Sequence, residues 1–258
     1  MTAAALGLLH WSGFAWTLVR TDFKARYHGT AAGFVWALAK PVAMFAVLWA
    51  VFSLIFVSRP TYALELIIGL FLWEVFAEAT KTGLTSLQAK AFLLTKARFP
   101  SWIVVVTSIA NSVITLAVFA AVIVVFVSVR GTRPSGAAVA LFALYLAAFT
   151  VTVVGFCLAA SVLFLRYRDL NQVWDVVVQA GFFVAPIIYP LDVLPERLHR
   201  FVYVWPPTPV IQFSRAVLVD GTAPSLTAHV LLAASAAAAL LAGALVFRLG
   251  APRAAERL

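Results

Sequence analysis

Glu74 and Glu78 stand one helical turn apart inside an apolar run, and Lys81 follows three residues after Glu78. Two carboxylates on one helix face are the side chains that could move a proton or hold a cation. At bilayer depth each charge opposes insertion by roughly 2.5–3.5 kcal/mol, so both must face protein or water. A Glu78–Lys81 pair near the inner surface accounts for one of them. Glu74 either pairs with Lys40 or lines a path for substrate. Glu74 is not read as a proton site. The remaining reactive types point away from catalysis. Cys157 is the single cysteine, sits in an apolar run and has no companion for a disulfide or a metal site. His10, His28, His199 and His229 are scattered over separate segments and read as interfacial or loop residues. No G-x-x-x-x-G-K-[ST], H-E-x-x-H or G-x-S-x-G pattern occurs. The expectation is therefore no enzyme, with no metal and no cofactor on this chain. If energy is used, it arrives from a partner.

The elements that must position these residues follow from composition. Of 258 residues, 64% are hydrophobic and 11% charged, against about 45–50% and about 25% in a soluble domain. Lipid is the solvent that such a chain requires. The net charge of +9 lies in short clusters between apolar runs, the pattern of topology signals and anionic headgroups rather than of nucleic-acid binding. The N-terminus lacks a basic n-region, and Leu6–Leu9 is too short for a signal-peptide core.

The reading is a single all-α integral membrane domain. From Leu9 to His28, Trp16, Val19, Phe23 and Tyr27 fall at spacings of three and four opposite a polar stripe, giving an amphipathic interfacial helix. Six spans follow at about 34–57, 62–79, 102–129, 136–165, 173–189 and 226–247. Residues 191–221 are apolar but broken by Pro195, Pro206, Pro207 and Pro209, which fits two short re-entrant helices. With both termini in the cytoplasm, Arg59, Arg130, Arg133, Arg197, Arg200 and Arg215 lie outside and the other thirteen Lys and Arg inside. Gly29 and Gly33 form a weak G-x-x-x-G, and Asp169 stands where it can cap the fifth helix.

Several ordered motifs run nearly end to end: Asp22-Phe23-Lys24-Ala25-Arg26-Tyr27 with Gly33, Trp36 and Pro41; Gln88 to Pro100; Arg166-Tyr167-Arg168-Asp169-Leu170; Phe182 to Pro190; and Pro206-Pro207-Thr208-Pro209-Val210-Ile211 before Arg215-Ala216-Val217-Leu218. Their order resembles the permease subunits of ABC exporters for O-antigen, capsule, teichoic acid and related polysaccharides, the Wzm/KpsM type. Pro206-Pro207 stands where that family usually has Asn-Pro. The resemblance implies a multi-pass bacterial inner-membrane protein acting as a homodimer with two copies of a separate ABC ATPase, which carries ATP and Mg. It also implies a central channel for a lipid-linked polysaccharide of O-antigen, teichoic acid or galactan type on an undecaprenyl-type carrier.

Lys90, Phe92, Leu93, Lys96 and Arg98 then read as the ATPase-coupling loop, since a loop obeying only the positive-inside rule has no need of Phe92, Leu93 and Phe99. Trp36, Trp49, Trp174, Phe182 and Tyr189 are candidates for the channel wall, because sugar C–H faces stack on aromatic rings. Arg20, Lys24 and Arg26 are candidates for the lipid pyrophosphate by charge and position. The alternatives are an ABC exporter of a small lipid or drug, a proton-coupled secondary transporter using Glu74 and Glu78, and a membrane-embedded glycan enzyme.

Overall fold

In lipid, every backbone N–H and C=O must find its partner within the chain, which makes helices the local answer for long apolar runs. The computed structural model describes residues 3–27, 33, 35–96, 99–130 and 132–255, and no strand occurs among them. The helices are α1 (Ala3–Tyr27), α2 (Val35–Phe52), α3 (Tyr62–Ala89), α4 (Ala91–Lys96), α5 (Trp102–Val129), α6 (Gly136–Arg166), α7 (Leu170–Val184), α8 (Glu196–Val204), α9 (Pro207–Leu218) and α10 (Leu226–Ala255), with one 3-10 turn at Leu191–Val193 before α8. Four of them, α2, α5, α6 and α10, are long and apolar enough to cross a membrane by length and composition. His28, Gly29, Phe34 and Arg98 lie outside the described residues.

α3 is the axis of the molecule. It packs on α5, α6 and α9 and buries residues around its whole circumference, from Leu66 and Ile68 to Phe71, Leu72, Val75 and Phe76. Phe71 meets Phe119 of α5 at 4.6 Å between ring centroids, and Phe142, Tyr145 and Phe149 of α6 complete the core. α3 runs ten residues past the expected end at Ala79. The extension is polar, but Thr80, Thr85 and Ser86 return their hydroxyls to carbonyls of the helix itself, so the added turns leave few side-chain donors seeking partners elsewhere.

α6 and α10 are the most intimate pair. A Cβ on Gly155 would strike the backbone of Ala239, and one on Gly243 would strike the backbone of Gly155. Small residues here let two backbones meet, the usual basis of helix association in lipid. Gly33 is different: among the described residues a Cβ there would meet nothing within 4 Å, and its φ of +50° places it in the left-handed region that glycine tolerates.

Helix ends differ from expectation for local reasons. α2 stops at Phe52 rather than Val57, ahead of Arg59-Pro60, where a residue before proline disfavours helix. α7 likewise ends at Val184 because Ala185 precedes Pro186 and is extended, with ψ 132°. Asp169 occupies the N-cap position of α7, but its own backbone is helical and its carboxylate makes no capping bond; a capping residue needs the extended backbone that Ser135 has at the start of α6. α1 begins at Ala3, earlier than read. Its protein-facing side carries Phe14 on Phe99, buried Leu18 and Asp22 paired with Lys90, which leaves Trp16 largely exposed.

Candidate functional site

α2, α3 and α7 each turn one stripe of side chains toward a common groove. On α2 the stripe is Trp36, Lys40, Met44 and Val47; on α3 it is Leu70, Trp73, Glu74, Ala77, Glu78 and Lys81; on α7 it is Asp175, Val178, Gln179 and Phe182. Steps of three and four residues keep each set on one helix face. The groove has two chambers. One, of about 490 Å³, is lined by Arg26, Trp36, Lys40, Glu74, Glu78, Lys81 and Asp175. The other, of about 620 Å³, is lined by Pro41, Met44, Val47, Leu70, Trp73, Phe182 and Phe183. Lys40, Glu74 and Val178 belong to both walls, so the chambers adjoin.

The first chamber holds three ion pairs, each between two elements: Arg26 of α1 with Glu78, Lys40 of α2 with Glu74, and Lys81 with Asp175 of α7 at 2.6 Å. The expected Glu78–Lys81 pair does not form. Both residues have an opposite charge on a neighbouring helix, and pairing across the groove satisfies four charges where pairing along α3 would satisfy two. Three carboxylates thus face three cations, and the chamber is neutral overall. Lys40 and Lys81 each keep donors beyond the one the carboxylate takes, because an ammonium offers three. The Lys40 side chain is 75% exposed. Pro41 has no N–H for the carbonyl of Ala37, which leaves an acceptor on the same wall.

The second chamber is aromatic. Trp73 lies 5.8 Å from Phe182, 5.6 Å from Phe76 and 6.3 Å from Trp205. Trp205, at the α8–α9 junction, fills the space beside Gly181 of α7, where a Cβ would come within 2.5 Å of its ring. The α2 wall is the least held, since Pro41 is its one buried residue. Low burial marks the segment that moves at least cost.

Among the expected channel residues, Trp36 and Phe182 line the groove. Trp49 stands two residues past Val47, about 200° around α2, and faces away from that stripe. Trp174 turns inward: it stacks on Phe156 at 4.2 Å and donates its indole N–H to Thr80 at 3.0 Å. Tyr189 donates to the carbonyls of Phe183 and Val184 and closes the end of α7. Of the cationic trio, Arg26 reaches the groove, while Arg20 and Lys24 are exposed on α1. Lys90 pairs with Asp22, whereas Phe92 stands 69% exposed on α4 with Lys96 over its ring at 4.6 Å; Leu93 is half-buried.

One residue outside these expectations organises the far end. Arg215 of α9, counted in the sequence as an outer topology charge, is buried and donates to the carbonyls of Glu65 (2.9 Å), Pro186 (2.6 Å) and Ile187 (2.9 Å). Tyr62 donates to the next carbonyl, Ile188, at 2.8 Å. The start of α3 and the break after α7 are thereby fixed to α9. A lone arginine among the apolar residues of Val210 to Leu218 was the available signal.

Comparison with known proteins agrees in extent with this fold. Residues 14–219 match the family model described as ABC-2 type transporter. The chain is similar to an O-antigen export system permease protein RfbA of Klebsiella pneumoniae, 28% identical over 206 residues that cover 80% of each chain. It is also similar to a protein of the same description from Myxococcus xanthus, 27% identical over 198 residues covering 75% of this chain and 74% of that one.

Proposed function

The chain belongs to the ABC-2 type transporter family, and from that premise we propose that it is the membrane-spanning subunit of an exporter of lipid-linked polysaccharide in the bacterial inner membrane. The observation that carries the reading is the groove between α2, α3 and α7, polar and cation-bearing in one chamber and apolar and aromatic in the next. That gradient is complementary to an amphiphile with an anionic head and a prenyl chain. Arg26, Lys40 and Lys81 offer donors to phosphate oxygens by exchanging them against their carboxylates. Trp36, Trp73 and Phe182 supply faces for sugar C–H groups or prenyl carbons.

In this reading α3 and α7 also cross the membrane, giving six spans with α2, α5, α6 and α10; α8 and α9 re-enter from the outer side, and both termini are cytoplasmic. Two copies form the transport unit. The work is done by two copies of a separate ATPase, which hold ATP and Mg and dock on the exposed Phe92 and Lys96 of α4. The carrier is of undecaprenyl type, and the glycan is of the O-antigen, teichoic acid or galactan class.

Ala77 lies on the first chamber's wall between Glu74 and Glu78. Ala77→Trp obstructs that chamber without replacing an ion-pairing residue. It is expected to abolish surface glycan while the protein still inserts and still co-purifies with its ATPase. Undiminished surface glycan in that variant refutes the groove as the route.

A further inference from the structure

A second polar cavity, of about 400 Å³, lies at the opposite end of α3, between the 3-10 turn, α8, α9 and the segment after α9. Most of its charge is already committed. Arg215 spends its guanidinium on three carbonyls, and Arg59 is held by Asp192 and faces Glu65 at 3.8 Å. Two arginines against Glu65, Asp192 and Asp220 leave the lining with one net negative charge. An anionic ligand is therefore disfavoured here, in contrast to the groove.

The lining also holds polar groups that no ion pair or hydrogen bond commits. Among the described residues, neither the Tyr203 hydroxyl nor the Asp220 carboxylate takes part in a hydrogen bond or ion pair, and both line this cavity. The Tyr203 ring leans on Phe213 at 6.3 Å, which fixes an aromatic wall at the cavity. A carboxylate accepts from two neighbouring hydroxyls at once. An aromatic face beside it takes the C–H side of a sugar ring. Together these match a neutral sugar better than an anion or an apolar compound. The volume lies within the roughly 300–1,000 Å³ of small-ligand sites.

We propose that this cavity is an exit-side subsite for a neutral sugar unit of the transported glycan, with Asp220 accepting from ring hydroxyls and Tyr203 stacking on the ring. The proposal rests on the export reading, which places the cavity on the far side of the membrane from the ATPase. It accounts for a polar recess in a part of the chain that the inner groove does not reach.

The test is saturation-transfer difference NMR on the full chain in lipid nanodiscs, with mannotriose, galactobiose and rhamnose as probes and sialic acid as an anionic control. At least one neutral probe is expected to receive magnetisation. The signal should fall about tenfold in Asp220→Ala and in Tyr203→Ala and persist in part in Tyr203→Phe. No transfer to any neutral probe, equal transfer to sialic acid, or an undiminished signal in the Asp220→Ala and Tyr203→Ala proteins overturns the proposal. Surface glycan is measured on the same variants. Export without sugar binding removes the subsite alone, whereas absence of export by the wild-type transporter removes the reading on which it stands.

Discussion

Replacing Arg215 by methionine keeps the length and apolar stem of the side chain and deletes the donors that hold Glu65, Pro186 and Ile187. Hydrogen bonds to a charged group contribute about 1.5–3 kcal/mol each, so three lost bonds cost about 4.5–9 kcal/mol. The variant recovers several kcal/mol because no guanidinium has to be desolvated. A net loss of about 3 kcal/mol remains, which for a chain of this size corresponds to a Tm lower by about 6–12 °C. Gly69→Ala probes the same contact without changing charge. A Cβ at Gly69 would lie 2.8 Å from Nη2 of Arg215 and 3.2 Å from Ile187, and overpacking of this kind costs about 1–3 kcal/mol. Because both changes act on one contact, the double variant should lose less than the sum of the two. Thermal unfolding of the purified protein in detergent, followed by tryptophan fluorescence, reads all three. A Tm for Arg215→Met within about 1 °C of wild type, or full additivity with Gly69→Ala, refutes the clasp.

Lys40→Glu and Glu74→Lys each place like charges together in the groove and should each reduce surface glycan; the double swap restores the pair and should restore most of the export, as scored by quantitative glycan blotting. Phe92→Asp with Leu93→Asp alters an exposed and a half-buried position and should abolish co-purification of the ATPase while Tm stays within about 2 °C of wild type. Gly243→Leu drives a side chain into the backbone of Gly155 and should destabilise by more than about 3 kcal/mol, seen as loss of membrane-inserted protein on quantitative blots.

Helices were legible wherever an apolar run exceeded a bilayer's thickness, because length and composition alone decide that question. Their ends were not. Tyr62–Ala89 outran its apolar stretch since Thr80, Thr85 and Ser86 satisfy themselves on their own helix. The groove charges illustrate the limit for the site. The spacing of Glu74, Glu78 and Lys81 showed that they share a face, but not that α1, α2 and α7 bring Arg26, Lys40 and Asp175 to meet them. Trp174 shows the same limit: periodicity gives the angle between residues on a helix, while the rotation of α7 that buries this indole against Phe156 is set by packing. Arg215 was visible as a charge and hidden as a clasp, because a count of positive residues carries no depth.

What accumulates when this protein is withdrawn tests the export reading most directly. Conditional depletion followed by mass spectrometry of extracted lipids, with an impermeant glycan-oxidising label to distinguish the two faces of the membrane, measures it directly. A prenyl-pyrophosphate-linked glycan should build up on the inner face as surface glycan declines. An unchanged lipid-linked pool together with undiminished surface glycan contradicts the account.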